Sequence, residues 1–212
     1  MEGRLNPWLQ IWIQPREVIN QQLERENREK YFILMVMVYG TLSVFTGYEQ
    51  NDMDVNIGRI ILISIVAGVL LGPLIFYFTS WLTAVVGRWI GGRGEPGDLR
   101  VATVRGAYIP GLAIIAVNLI QLAVEGKIYF VSSYAQFEAM QLGLIEGTSE
   151  YPLISILTYI AVVWTFVINV NAVGAAHGFS AWKALLLVVI IGFIIAIPLV
   201  LVTMLLVSFG LI

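Results

Sequence analysis

His177 is the single histidine of a chain that contains no cysteine. Those two counts remove most of the metal and nucleophile chemistry a protein can do. Disulfides, thiolate metal sites and cysteine nucleophiles are excluded outright, and a multi-histidine metal site cannot be built within one chain. The sequence also lacks HExxH, a pair of membrane aspartates and a G-x-S-x-G elbow, the usual carriers of hydrolysis in or beside a bilayer. An enzyme built on His177 alone would have no nucleophile beside it in sequence. The alternative is that His177 caps or bridges a tight turn, donating to a carbonyl at a helix end.

The other candidates are uncharged and sit in apolar surroundings. Asn118 and Gln121 fall toward one end of an apolar run, and Asn169 and Asn171 toward one end of another. Amides in such places hydrogen-bond between helices, each bond worth about 0.6 to 2 kcal/mol, or else line a polar substrate path. The glycine-rich stretch from 87 to 111, GRWIGGRGEPGDLRVATVRGAYIPG, has the look of a phosphate loop but lacks the lysine and the preceding strand that GxxxxGK[ST] requires. Asp98 suits the N-cap of a helix entering the membrane. Arg88, Arg93, Arg100 and Arg105 form a basic rim able to hold anionic lipid, each worth up to about 1 kcal/mol near a charged leaflet.

The elements that position these residues follow from composition. With 58% hydrophobic and 12% charged residues, the chain is far more apolar than a globular domain and belongs in a bilayer. A net charge of −2, with no large cluster of Lys and Arg, gives no footprint for nucleic acid. Runs long enough for a hydrocarbon core of about 30 Å occur at 31–47, 57–86, 106–124, 152–176 and 182–209. The fold expected is all-α: a polytopic bundle of five transmembrane helices, with a cytoplasmic interfacial segment at 1–30 and the transmembrane domain at 31–212. The second run is too long for an upright span and should tilt, bend at Gly72-Pro73 or emerge on one side. Gly68 and Gly72 form a GxxxG, Gly106 lies four before Pro110, and Gly192 and Ala196 share a face, so close helix approach is expected at all three.

Lysine and arginine set the orientation. With the N-terminus in the cytoplasm, Arg4, Arg16, Arg25, Arg28, Lys30, the four rim arginines and Lys183 lie inside, leaving only Arg59 and Lys127 outside. The outer connections are acidic, with Glu49, Asp52 and Asp54 in the first and Glu125, Glu138, Glu146 and Glu150 in the second. Five spans then place Ile212 outside the cell.

Two stretches read as amphipathic helices at the interfaces. In NPWLQIWIQPRE, Asn6 before Pro7 is a helix-start signature. Trp8, Ile11, Trp12, then Val18, Ile19 and Leu23 give one apolar face on either side of Pro15. Residues 6–29 are expected as two helices along the inner leaflet, or packed on the bundle's own inner ends. In SSYAQFEAMQLG, Ser133 and Gln136 have capping-box spacing and Gly143 is a stop signal. A short outer helix with a stripe of Tyr134, Phe137 and Met140 or Gln141 is expected there. No Asp, Glu, Lys or Arg lies deep in any of the five runs, whereas ion-driven transporters place such groups at depth.

Three blocks carry a family resemblance: the leading NPWLQIWIQPRE, the inner loop running through LRVATVRGAYIP, and AAHGFSAWKAL before the last run. Together they resemble the bacterial branch of the Yip1-domain membrane proteins. The resemblance implies five spans and a cytoplasmic N-terminus. It matches Asn6, Pro7, Trp8, Trp12, Pro15 and Arg16 to the leading motif, Pro110 to the proline of the third span, and His177, Gly178, Phe179 and Lys183 to the last inner turn. It also implies a membrane-protein partner, since some bacterial relatives accompany ABC-type exporters. The YGP signature of the eukaryotic relatives that bind prenylated GTPases does not occur in the inner loop.

The expectation is a non-enzymatic scaffold or accessory subunit in the plasma membrane, needing no cofactor. Its surfaces would meet anionic headgroups and a membrane-protein complex. The rival is a passive translocator of lipid or a small molecule, using Asn118, Gln121, Asn169 and Asn171.

Overall fold

A computed structural model describes residues 6–145 and 151–209; Arg4, Glu146, Glu150 and Ile212, which entered the topology above, lie outside the described residues. Eight α-helices are present among them: α1 Pro15–Leu23, α2 Phe32–Thr46, α3 Ile57–Trp89, α4 Pro96–Thr103, α5 Ile109–Glu125, α6 Ser133–Gln141, α7 Pro152–His177 and α8 Ala181–Ser208. No strand is present among the described residues, and a single bridge joins Gln50 to Val131.

Among the described residues four helical stretches are long and apolar enough to cross a membrane: Ile57–Trp89, Pro96–Phe130, Pro152–His177 and Ala181–Ser208. The first apolar run forms α2, whose 15 residues rise only about 22 Å at 1.5 Å per residue. Helix α3 passes through Pro73 without a break and has 33 residues, which is about 50 Å of helix against a core of about 30 Å.

The third run differs most from expectation. The chain is already helical from Pro96, and α4 joins α5 through a five-residue π-helical segment, Val104–Tyr108. Pro110 explains the irregularity, because it cannot donate to the carbonyl one turn earlier, and a wider turn accommodates the missing bond. The cap of α4 also corrects the sequence reading. Glu95 is the N-cap and Asp98 is N3, each side chain taking the other's backbone N–H. Pro96 decides this, since the residue before a proline is driven out of the helical region while the proline itself suits the first helical position.

Two compact units are distinguishable. One holds the described residues up to Arg28, Tyr77–Gly106 and those from Ile168 onward; the other holds Glu29–Phe76 and Ala107–Val167.

In the second unit α2 lies close against α3. A Cβ on Gly68 would run into the backbone of Thr41, and one on Gly72 would sit 3.2 Å from the Val36 carbonyl oxygen. The GxxxG therefore serves a contact within the chain. Tyr39 stacks on Tyr108 at 4.2 Å between centroids, and Phe32 meets Phe76 edge-on. At the far end Val55, Ile60, Phe130, Val131 and Ala135 form a buried cluster. Gln50 ties its two connections together, donating from N to the Phe130 oxygen at 2.9 Å and accepting from Ser132 N at 2.8 Å.

Helix α6 is capped one residue earlier than expected, by Ser132, whose hydroxyl accepts from Ala135 N. Gln136 does not complete a capping box. Its side-chain amide donates instead to the carbonyls of Ile128 and Val131. Ala135 and Ala139 face inward, while the stripe of Tyr134, Phe137 and Met140 is exposed.

In the first unit Gly106 packs on Ala172, where a side chain would collide. Gly192 was expected to permit a close approach, but a Cβ at that position would have nothing within 4 Å. A small residue allows contact only where a neighbouring helix is present to use it.

Candidate functional site

The first unit is organised around His177. Helix α3 ends at Gly91 (φ +82°) and α7 at Gly178 (φ +70°), each with the paired backbone bonds of a left-handed helix stop. For α7 these are Gly178 N to the Ala175 oxygen at 3.1 Å and Phe179 N to the Gly174 oxygen at 2.7 Å. The two stops turn the chain so that the loop between α3 and α4 folds over the imidazole. The ring is buried, at 1% exposure, and both its nitrogens are engaged. Gly94 N donates to Nδ1 at 3.1 Å, and Nε2 lies 3.2 Å from the Thr83 carbonyl oxygen.

These partners fix the tautomer. A backbone N–H can only donate, so Nδ1 presents its lone pair, and the proton sits on Nε2, which donates to Thr83. The expected bond to a helix carbonyl exists, but Thr83 lies inside α3 rather than at its end. The bond from Gly94 was not foreseen. Glycine is required around the ring for space: a Cβ on Gly92 would lie 2.6 Å and one on Gly94 2.9 Å from Nδ1, and one on Gly87 would overlap the ring. Phe179 stacks on the imidazole at 5.1 Å and 23°. Lys183 Nζ sits 4.5 Å over the Phe179 ring, a cation–π contact.

The leading segment docks on this node. Arg16 donates from its guanidinium to the Phe179 carbonyl. Ile11, Val18 and Ile19 are fully buried, so the apolar face meets protein. Asn6 Oδ1 accepts from Trp8 N at 2.9 Å, and Trp12 Nε1 donates to the Trp8 carbonyl at 3.1 Å.

Two details correct the sequence reading. The stretch after Pro7 forms turns and a three-residue 3-10 helix, Gln10–Trp12, rather than an α-helix. Pro15 at the start of α1 leaves it too few residues to offset the cost of nucleation. Helix α1 then stops at Leu23 rather than continuing to 29. Arg28 takes the Leu23 carbonyl at 3.1 Å and forms a half-buried ion pair with Asp98 at 2.8 Å.

The basic rim divides. Arg88 and Arg93 lie toward solvent, whereas Arg100 is half-buried with its guanidinium 5.3 Å from the Tyr77 ring, and Arg105 is half-buried in the π-helical segment. Pro110 is buried at the start of α5. Exposed indoles accompany the outward arginines: Trp8, Trp89 and Trp182.

The four intramembrane amides are not one group. Asn118 and Gln121 line a cavity of about 760 Å³ in the second unit, with Glu49, Glu125, Tyr129 and Gln136. Gln121 donates to Glu125 at 2.8 Å. Asn169 and Asn171 belong to the first unit, are half-buried on α7, and are not part of that lining.

Sequence reasoning missed the glycine cradle of His177, the Arg28–Asp98 pair and this cavity. The spacing Gly87, Gly92, Gly94 was a usable signal, because small residues repeated across the end of α3 and the loop after it mark a close approach as readily as a flexible turn.

Comparison with known families matches the chain to the Yip1 domain over residues 9–203. No curated protein and no solved structure matches the chain.

Proposed function

The chain belongs to the Yip1-domain family of membrane proteins, and from that premise we propose that it is a non-enzymatic scaffold or accessory subunit of the plasma membrane. Its cytoplasmic face would hold another membrane-protein complex, such as an ABC-type exporter, and anionic headgroups. The observation that carries this reading is the docked leading segment. Arg16, Ile11, Val18 and Ile19 make their contacts inside the protein, while Trp8, Trp89 and Trp182 are exposed in the same unit as the exposed Arg88, Arg93 and Lys183. Indoles and arginines on a rigid surface are what anchor protein interfaces and headgroup contacts.

Five spans fit this arrangement, with a cytoplasmic N-terminus and an extracytoplasmic C-terminus. The Arg28–Asp98 pair supports this reading, because paired residues share one side of the membrane and an even number of crossings would then lie between them. Helix α3 supplies one, so α2 supplies the other, its 15 residues extended across a core of about 30 Å by local thinning and flanking turns. Residues 1–30 are then the cytoplasmic segment and 31–212 the five-span domain.

The absence of an enzymatic role is supported by His177 itself, whose two nitrogens are committed to backbone groups. The translocator alternative needs Asn118, Gln121, Asn169 and Asn171 along one path, and only the first two share a lining.

Photocrosslinking in native membranes tests the proposal. Benzoylphenylalanine at Trp89 or Trp182 should give an adduct with the same identified membrane protein in repeated experiments, and at Tyr159, exposed on α7, only lipid. Adducts with lipid alone at all three positions would refute the scaffold role. Lipid flipping in liposomes that falls when the four amides become leucine would establish the translocator instead.

A further inference from the structure

The cavity of the second unit has a composition that selects its occupant. It encloses about 760 Å³, within the range of about 300 to 1,000 Å³ of small-molecule sites. Among the described residues its lining includes two carboxylates, Glu49 and Glu125, and no lysine, arginine or histidine. An anion would therefore meet like charge there, with no cationic side chain to offset it. The remaining wall is mostly amide, hydroxyl and phenol, so a hydrocarbon would strand polar groups without partners. A bare divalent ion is a poor match, because no group of three or more acidic, histidine or cysteine side chains comes together among the described residues, while Ca²⁺ takes about six to eight oxygen ligands.

What remains is a cation large enough to fill space. Glu125 is the last residue of α5 and Glu49 lies just beyond α2, so both line the cavity from helix ends, together with Tyr129. Tyr129 is held there by its hydroxyl, which donates to the Thr46 carbonyl. Carboxylates beside phenol rings are the chemistry that recognises an ammonium group, by charge and by the ring face. At the other end Asn118 lies seven residues, or about 10 Å of helix, before Glu125 on α5, and Gln121 lies between them. The polar wall therefore runs down the helix into the apolar run.

We propose that this cavity binds a small organic ammonium compound, with its cationic nitrogen at Glu49 and Glu125 and a hydroxyl or amide-bonding tail toward Asn118 and Gln121. The source is a free amino alcohol or the ammonium headgroup of a lipid, which share this chemistry. The site is independent of the scaffold reading, which rests on the other unit.

The test uses the full chain in nanodiscs of phosphatidylglycerol alone, with radiolabelled choline as the probe. Binding should be saturable and should not be competed by 3,3-dimethylbutan-1-ol, the neutral isostere. The double variant Glu49→Gln/Glu125→Gln, with wild-type thermal unfolding, should bind at least tenfold more weakly. Phosphatidylethanolamine added to the discs distinguishes the sources: displacement of choline supports a headgroup ligand, and undiminished binding supports a free amine. Absence of saturable choline binding overturns the proposal, as does equal competition by the isostere. The isostere comparison needs no variant and stands even where the double variant fails to fold.

Discussion

Replacing His177 separates a polar role for the ring from a merely space-filling one. His177→Ala strands the buried Gly94 N–H, at about 1–3 kcal/mol, and empties a site that is 1% exposed, at about 2–5 kcal/mol for a large-to-small change. The expected loss is therefore about 3–8 kcal/mol, with partial collapse favouring the lower end. His177→Asn should recover about 1–2 kcal/mol of this, because the asparagine oxygen can stand where Nδ1 accepts from Gly94. His177→Leu refills the volume and leaves Gly94 without an acceptor. Wild type should be the most stable and Ala the least, with Leu still about 1–3 kcal/mol below wild type for the stranded Gly94 N–H, measured by SDS titration of the purified protein in mixed micelles with tryptophan fluorescence. An account based on apolar burial alone puts Leu at or above wild type. That result would refute the hydrogen-bonded role assigned to His177.

Other perturbations have equally definite outcomes. Gly68→Ala forces a Cβ into the Thr41 backbone and should destabilise by about 1–3 kcal/mol, whereas Gly192→Ala meets nothing and should be neutral or stabilising by up to about 1 kcal/mol; equal effects in the same titration would contradict the packing described. Ser132→Ala should cost about 0.5–2 kcal/mol as a lost N-cap, and Ser133→Ala next to nothing. For topology, single cysteines at Glu26 and Glu95 should react with an impermeant maleimide only in inverted vesicles, and one at Asp52 only in right-side-out vesicles. Glu26 reacting from the same side as Asp52 would show that α2 does not cross.

How much of this was legible in the sequence depended on the range of the interaction. Apolar runs gave the long helices to within about three residues, as at 152–176 against Pro152–His177 and 182–209 against Ala181–Ser208, because burial in lipid is imposed residue by residue. The start of the third helix was placed ten residues late. Asp98, Arg100 and Arg105 interrupt its hydropathy, although charges are welcome in an interfacial first turn. Caps were misplaced by one to three positions: at Ser132 two neighbouring serines compete and backbone geometry chooses between them, and at Glu95 the signal of Pro96 was passed over.

The partners of His177 were beyond reach, since Gly94 and Thr83 are 83 and 94 positions away. No local period encodes such a meeting. The cavity was hidden for the same reason: Glu49, Glu125 and Gln136 come from separate segments and meet only after folding.

The central claim is that the leading segment is docked on the node at His177 through Arg16. A chain without cysteine admits spin labels with no background, and Ile13 and Trp182, both 81% exposed and in the same unit, can carry them without disturbing the core. Electron–electron distance measurements on the Ile13→Cys/Trp182→Cys protein in nanodiscs should give one narrow distribution that broadens when Arg16→Ala is added. A broad distribution in the otherwise unaltered protein would mean that the segment drifts on the lipid surface, and would contradict the account.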